Sequence, residues 1–417
     1  MAACAAVQTH DPGATAAKTG PTGNFDAARL RAYACAAVTV YAVFLVILLW
    51  KKAWIVDPRG LPVYNDFTCD FVAGLLALHG NAAAIYEPQA FVGAQQAFVG
   101  ARPYVSPIWP YPPSFLLLLA PLAALPYAAA FLAWAGTTLA TSVAVVSRIA
   151  GRSPAALLAL ASPFAALNFL GGQSGALTAS LIGGALLTLE RRPVLAGVLI
   201  GCLGYKPQFA ILFPVALAAA RRWRAFAAAA VTALLLAGAS IAVFGAAPWL
   251  LFPQKLAAQA QMNLVVGPGP NGDLAMWGLV QTVYGLVRRL GGGAVLAALA
   301  QAVTTTGLAV LVWLLWRSRT RFALKAAALS AAALAATPYA FSYSLAATAV
   351  PVAFLARDRI EHGALPGEAT MLVALAAASF LVLASWGKAP IGAAIVLALL
   401  GVILRRVLVT ASAGSTP

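Results

Sequence analysis

Long apolar runs recur along almost the whole chain, at about 31–50, 127–147, 154–169, 173–189, 193–205, 207–220, 225–244, 294–316, 322–337, 341–356, 369–386 and 389–408. A run of about 20 apolar residues is what a helix needs to cross a hydrocarbon layer about 30 Å thick. Composition points the same way: 62% of the 417 residues are hydrophobic and only 9% charged, against about 45–50% and about 25% in soluble domains. A soluble enzyme, a disordered chain and a disulfide scaffold are excluded together. The expected fold is an all-α polytopic membrane protein of about twelve transmembrane helices.

Lys and Arg outnumber Asp and Glu by 27 to 11, for a net charge of +16. No basic run is interleaved with aromatics as a nucleic-acid surface requires, so no nucleic-acid partner is expected. The basic residues instead mark topology. Lys18, Arg29/Arg31, Arg148/Arg152, Arg191/Arg192, Arg221/Arg222/Arg224, Arg317/Arg319/Arg321/Lys325, Arg357/Arg359 and Arg405/Arg406 fall at alternate connectors and account for 18 of the 27. The positive-inside rule makes that side cytoplasmic, with both termini inside a cell (inner) membrane. Residues 1–28 read as a disordered cytoplasmic tail and 409–417 as a second cytoplasmic tail, flanking a membrane domain at 29–408 whose first run is a retained signal anchor. Four cysteines without CxxC spacing and three scattered histidines suggest no metal centre, and no cofactor is expected.

Two long segments then face outward, 51–113 and 246–290, of 63 and 45 residues. Helical runs at 67–79 and 87–99 and an apolar-periodic stretch at 274–290 mark both as ordered. The short apolar piece 114–125, bounded by Pro112, Pro113, Pro121 and Pro126, reads as a re-entrant or interfacial helix. Residues 193–205 are too few to cross the layer, since a helix rises about 1.5 Å per residue. The polar connectors around them therefore sit below the outer surface, where non-helical backbone is tolerated only beside a protein-enclosed or watered cavity. Asn168, Gln173, Lys206 and Gln208 would floor it.

Topology sorts the acids as well. Asp57, Asp66, Asp70, Glu87 and Asp273 are the outward ones. In Asn65-Asp66-Phe67-Thr68-Cys69-Asp70, either Asn65 or Asp66 is positioned to cap the helix that follows. A carboxylate there is also a candidate general base. Asp66 and Asp70, at i and i+4, could share a divalent cation, but no acidic pair has compelling metal-binding spacing. A lysine at membrane depth needs a counter-charge or water, and an anionic group such as phosphate suits Lys206. Trp109, Tyr111 and Trp249 carry the ordinary reading of an interfacial aromatic belt.

Several motifs together resemble glycosyltransferase family 87. They are Asp66-Phe67 … Ala73-Gly74 … His79-Gly80 … Ala84-Ile85-Tyr86-Glu87-Pro88, then Tyr111-Pro112-Pro113 … Pro121 … Pro126-Tyr127, Gly172-Gln173, Ala196-Gly197 … Lys206-Pro207-Gln208 … Arg221-Arg222-Trp223-Arg224, and Thr337-Pro338-Tyr339 … Tyr343. The resemblance spans residues about 61 to 356 and implies a GT-C-like bundle. It also implies transfer of a sugar, often mannose, from a polyprenyl-phosphate donor to a glycan or glycolipid acceptor among membrane lipids. Under it Asp66 is the base. The layout read from the residues adds Lys206, with Arg102 as the lesser candidate, as the donor-phosphate partner, and Asn168, Gln173, Gln208, Tyr111, Tyr339 and Tyr343 as cavity or substrate residues. Ser344 stands where the family commonly has an acid after Tyr343. A transporter or flippase of lipid-linked glycan is the alternative.

Overall fold

The structure is a computed structural model that describes residues 27–100, 105–151, 154–260, 274–386, 388 and 390–413. It is helical throughout; among the described residues the extended pairings are two isolated bridges, Val56 with Pro62 and Val280 with Phe341. Helix α1 (Ala27–Trp50) carries the first apolar run. The segment after it folds as α2 (Asp66–Leu78), α3 (Pro88–Val99) and α4 (Leu116–Ala123), close to the helical runs read from the sequence. Helix α4 packs on α2 so closely that a side chain at Gly74 would meet the Leu119 carbonyl at 2.5 Å.

The bundle continues through α5 (Tyr127–Ala150), α6 (Pro154–Leu160), α7 (Pro163–Gly171), α8 (Gly175–Thr188), α9 (Pro193–Cys202), α10 (Phe213–Ala219) and α11 (Trp223–Phe244). The run expected at 154–169 is a broken span: α6 and α7 meet at a bend of 57°. Helices α9 and α11 approach through small residues, Gly197 and Gly201 lying against the Ala225 and Ala229 carbonyls, as membrane helices do when packing must replace hydrophobic drive.

Helix α12 (Ala247–Ala260), a 3-10 stretch at Leu274–Leu279 and α13 (Val283–Arg289) make up the described part of the second long segment. It docks on a later stretch: Gln281 N–H donates to the Ala340 carbonyl at 2.7 Å and Thr282 Oγ1 to Pro338 O at 3.0 Å. Helices α14 (Ala294–Arg317), α15 (Phe322–Ala335), α16 (Ala349–His362), α17 (Glu368–Ala384) and α18 (Gly392–Ala413) complete the chain. The run expected at 341–356 divides into a 3-10 turn, Ser342–Thr348, and α16.

Among the described residues five helices are long and apolar enough to cross a membrane alone, six if the bent pair counts as one span. Other runs fold as apolar helices of 10–17 residues, shortened by prolines and 3-10 turns, so the expected twelve full-length spans do not appear as twelve long helices. The burial pattern nevertheless fits a lipid-facing bundle. Helix α15 is buried along nearly all its length. By contrast, α1 exposes Val40, Val43, Val46 and Ile47, and α11 exposes Val231, Leu234 and Leu235, far more apolar surface than water favours.

Candidate active site

The N-terminus of α2 sets the site. Asn65, not Asp66, is the cap: its Oδ1 accepts from Thr68 N at 3.1 Å, and its own N–H donates to Thr68 Oγ1 at 3.1 Å. This reciprocal capping box satisfies two end donors and leaves the neighbouring carboxylate free of that duty. Asp66 is exposed to the open space beside it although protein surrounds the carboxyl on most sides. Loss of hydration raises its pKa, offset in part by a hydrogen bond from the Gln173 side chain and by the charge of Lys206. A carboxylate so tuned moves toward the range in which a base works best near neutral pH.

Gln173 reaches Asp66 because α7 stops abruptly. Gly172 adopts the left-handed conformation, φ 61°, and a side chain there would lie 2.6 Å from Phe67 Cβ. The Gly172 carbonyl is held by Trp134 Nε1 at 2.8 Å. The loop thus turns tightly against α2 and enters α8. Asn168 stays in the last turn of α7, with Oδ1 accepting from Ala176 N at 3.2 Å. A side chain at Gly175 would strike both the Tyr343 carbonyl and Asn168 Oδ1.

Lys206 stands between two 3-10 turns, Leu203–Tyr205 and Pro207–Phe209, where Pro207 prevents a continuous helix. It is only 6% exposed. Its Nζ lies over the rings of Tyr343, Tyr111 and Tyr205, at 5.1, 5.5 and 6.0 Å from their centres. Among the described residues no carboxylate comes within ion-pairing distance, 4.0 Å, of that ammonium. Tyrosine faces stabilise a cation without discharging it. Lys206, Tyr111, Gln208, Tyr339, Tyr343 and Ser344 line one cavity of about 290 Å³, closed on its apolar side by Phe252 and Leu256 of α12.

Asp66, Gln173 and Asn168 do not line that cavity; they lie against its wall, and the charges of Lys206 and Asp66 act on one another. Arg102 is outside the described residues. Asp70, read from the sequence only as an outward acid that could share a cation with Asp66, is part of the buried surroundings of the site. It is 3% exposed and accepts from Trp109 Nε1 at 2.9 Å. Burial lifts it to about 7 even though that hydrogen bond and Lys206 pull it down. The i, i+4 spacing from Asp66 was the available signal. Trp109 and Tyr111, read as interfacial aromatics, are buried at the site instead.

The described residues thus form a helical bundle of membrane type with a carboxylate, an ammonium and a tyrosine-lined cavity close together. The chain belongs to glycosyltransferase family 87, whose model matches residues 109–338, more than half of its length. The protein is therefore a membrane glycosyltransferase, using a sugar donor and an acceptor. The match begins at Trp109, so α2 and Asp66 precede it, and Tyr339 to Tyr343 follow it. No curated protein and no solved structure matches the chain.

Proposed function

We propose that the protein transfers a sugar, most simply mannose, from a polyprenyl-phosphate donor to a hydroxyl of an extracytoplasmic glycan or glycolipid. The observation that carries this reading is a carboxylate released from capping and in electrostatic reach of a buried ammonium that, among the described residues, no carboxylate pairs directly. The acceptor oxygen attacks the anomeric carbon as the bond from that carbon to the phosphate oxygen breaks. The hydroxyl proton passes to Asp66, and the lipid phosphate leaves carrying the bonding electrons. Lys206 faces the charge that develops there, where a fixed cation in a dry site is most effective.

This reading includes the membrane arrangement set by the basic residues: about twelve crossings, both termini cytoplasmic, and residues 51–113 outside. Phe252 and Leu256 give the cavity an apolar side, which suits a phosphate on a hydrocarbon chain better than one on a nucleotide. The test supplies purified protein in detergent with radiolabelled sugar on polyprenyl phosphate or on nucleotide. Transfer from the lipid is expected. Transfer from the nucleotide alone would refute the proposal.

A further inference from the structure

Buried polar atoms in native proteins almost always find a hydrogen-bond partner. Here Asn168 Nδ2, Gln173 Oε1 and Ser174 Oγ do not, on residues that are 1%, 5% and 0% exposed. Asn65 Nδ2, on the residue before Asp66, is a fourth. The same state is found elsewhere at indole and guanidinium nitrogens and at Asp358 Oδ1, but among the described residues no other side-chain amide or hydroxyl is in it. The orientations of two amides follow from their other halves, since Asn168 Oδ1 holds Ala176 N and Asn65 Oδ1 holds Thr68 N. The Gln173 amide lies beside the Asp66 carboxylate, which favours its Nε2 donor side facing that acid and its oxygen facing away. Ser174 Oγ has the Tyr111 hydroxyl as its neighbour but no well-formed hydrogen bond to it.

The position of these atoms is as informative as their state. The Gln173–Ser174 loop runs from Asp66 to the tyrosines around Lys206, because the Ser174 carbonyl accepts from Tyr205 Oη at 2.9 Å. Asn168 lies under Tyr343 through the close approach at Gly175. In the proposed reaction the transferred ring lies between the base and the phosphate partner, and these residues border that interval behind the cavity wall.

We propose that Asn168, Gln173 and Ser174 form a subsite for the hydroxyls of a sugar ring; the proposal rests on the functional reading above. The chemistry selects that ligand class. Gln173 Oε1 only accepts, which a phosphate ester without a proton cannot satisfy. Asn168 Nδ2 only donates, and Ser174 does both. A hydroxyl answers all three, and a hydrocarbon answers none.

The test compares three probes on detergent-purified protein: a short-chain prenyl phosphate carrying mannose, the same prenyl phosphate without sugar, and methyl mannoside. Ser174→Ala should weaken binding of the mannose-bearing phosphate about threefold to tenfold, the loss of one neutral hydrogen bond. Asn168→Asp keeps the acceptor for Ala176 N but replaces the free donor with an acceptor, and should weaken it further. Affinity for the sugar-free phosphate should stay unchanged in both. The thermal midpoint of Ser174→Ala should not fall, because the removed hydroxyl has no good partner to lose. Equal weakening for both phosphates, or no change for either, would overturn the subsite. If wild type binds neither phosphate but holds methyl mannoside in a Ser174-dependent way, the donor reading fails and the subsite stands.

Discussion

Two buried groups of charge sit at opposite ends of the bundle, and they are built on opposite principles. At one end Arg406, 2% exposed, donates through Nε to Asp358 Oδ2 and through Nη1 to Glu368 Oε2 at 3.1 Å. Arg321 faces Asp358 at 3.1 Å and Arg359 faces Glu368 at 3.0 Å, closing the cluster. Each acid meets a guanidinium, and α16, α17 and α18 are tied together. At the other end, separated by the 14 residues of α15, or about 21 Å of helix, Lys206 has tyrosine faces and, among the described residues, no carboxylate in direct contact. Burial alone does not mark a functional charge; burial without an opposite charge alongside is the feature that separates the two sites. A cluster in which each acid has a guanidinium beside it holds helices, whereas a cation without a counter-charge beside it can engage a ligand.

The sharpest break in this contrast is expected from Asp66→Asn. The amide keeps size and polarity, and Asn65 still caps α2, so the unfolding midpoint should hold. Removing a general base should lower transfer by about 10²–10⁴-fold. Turnover within a few-fold of wild type would reduce Asp66 to a residue of the first helical turn.

Arg406→Met should do the reverse. It leaves Asp358 and Glu368 buried with less counter-charge, which typically costs about 3–5 kcal/mol of stability. Arg406→Lys should keep part of that stability, since the charge survives while the fork that engages both acids is lost. Denaturant or thermal unfolding in detergent measures both. An Arg406→Met variant as stable as wild type would show that the cluster does not tie the helices.

Lys206→Ala comes next, with transfer reduced about 100-fold, the scale of losing one transition-state charge contact. Lys206→Arg should recover part of it, since the charge survives and its geometry changes. A steady-state comparison of the two variants checks this. Equal activity in both would remove charge from the account.

How much of this is legible in the sequence follows from distance along the chain. The α2 start is visible in Asn65 to Thr68 because a capping box is local, although the sequence leaves Asn65 and Asp66 as equal candidates. Lys206 stands out as a lone lysine between short apolar runs. Its surroundings do not, since Tyr111, Tyr205 and Tyr343 come from three distant segments. The pairing of Asp70 with Trp109 crosses 39 residues. At the other end, Arg321, Arg359 and Arg406 look like topology markers alone. Their partners emerge when α16, α17 and α18 pack. Helix lengths are the least legible feature, because hydropathy counts residues and does not see where prolines and 3-10 turns interrupt them.

Asp70 gives the subtlest comparison, since it is buried like Asp358 yet has an indole instead of a guanidinium as its direct partner. Its pKa is lifted to about 7 by loss of hydration, against about 3.9 for an unperturbed Asp in an unfolded chain. Between those values the folded protein holds one proton more than the unfolded chain, so stability falls as pH rises. The extra stability is full below about 4 and gone above about 7, where both states have lost the proton. Asp70→Asn keeps an oxygen for Trp109 Nε1 and removes the titration. The wild-type unfolding midpoint should therefore decline from pH 5 to pH 7 and then level off with respect to this group. The Asp70→Asn substitution should make that decline shallower, so the variant gains most relative to wild type near pH 8. Parallel midpoint curves for the two proteins across this range would mean that Asp70 titrates no differently in the fold than in the unfolded chain.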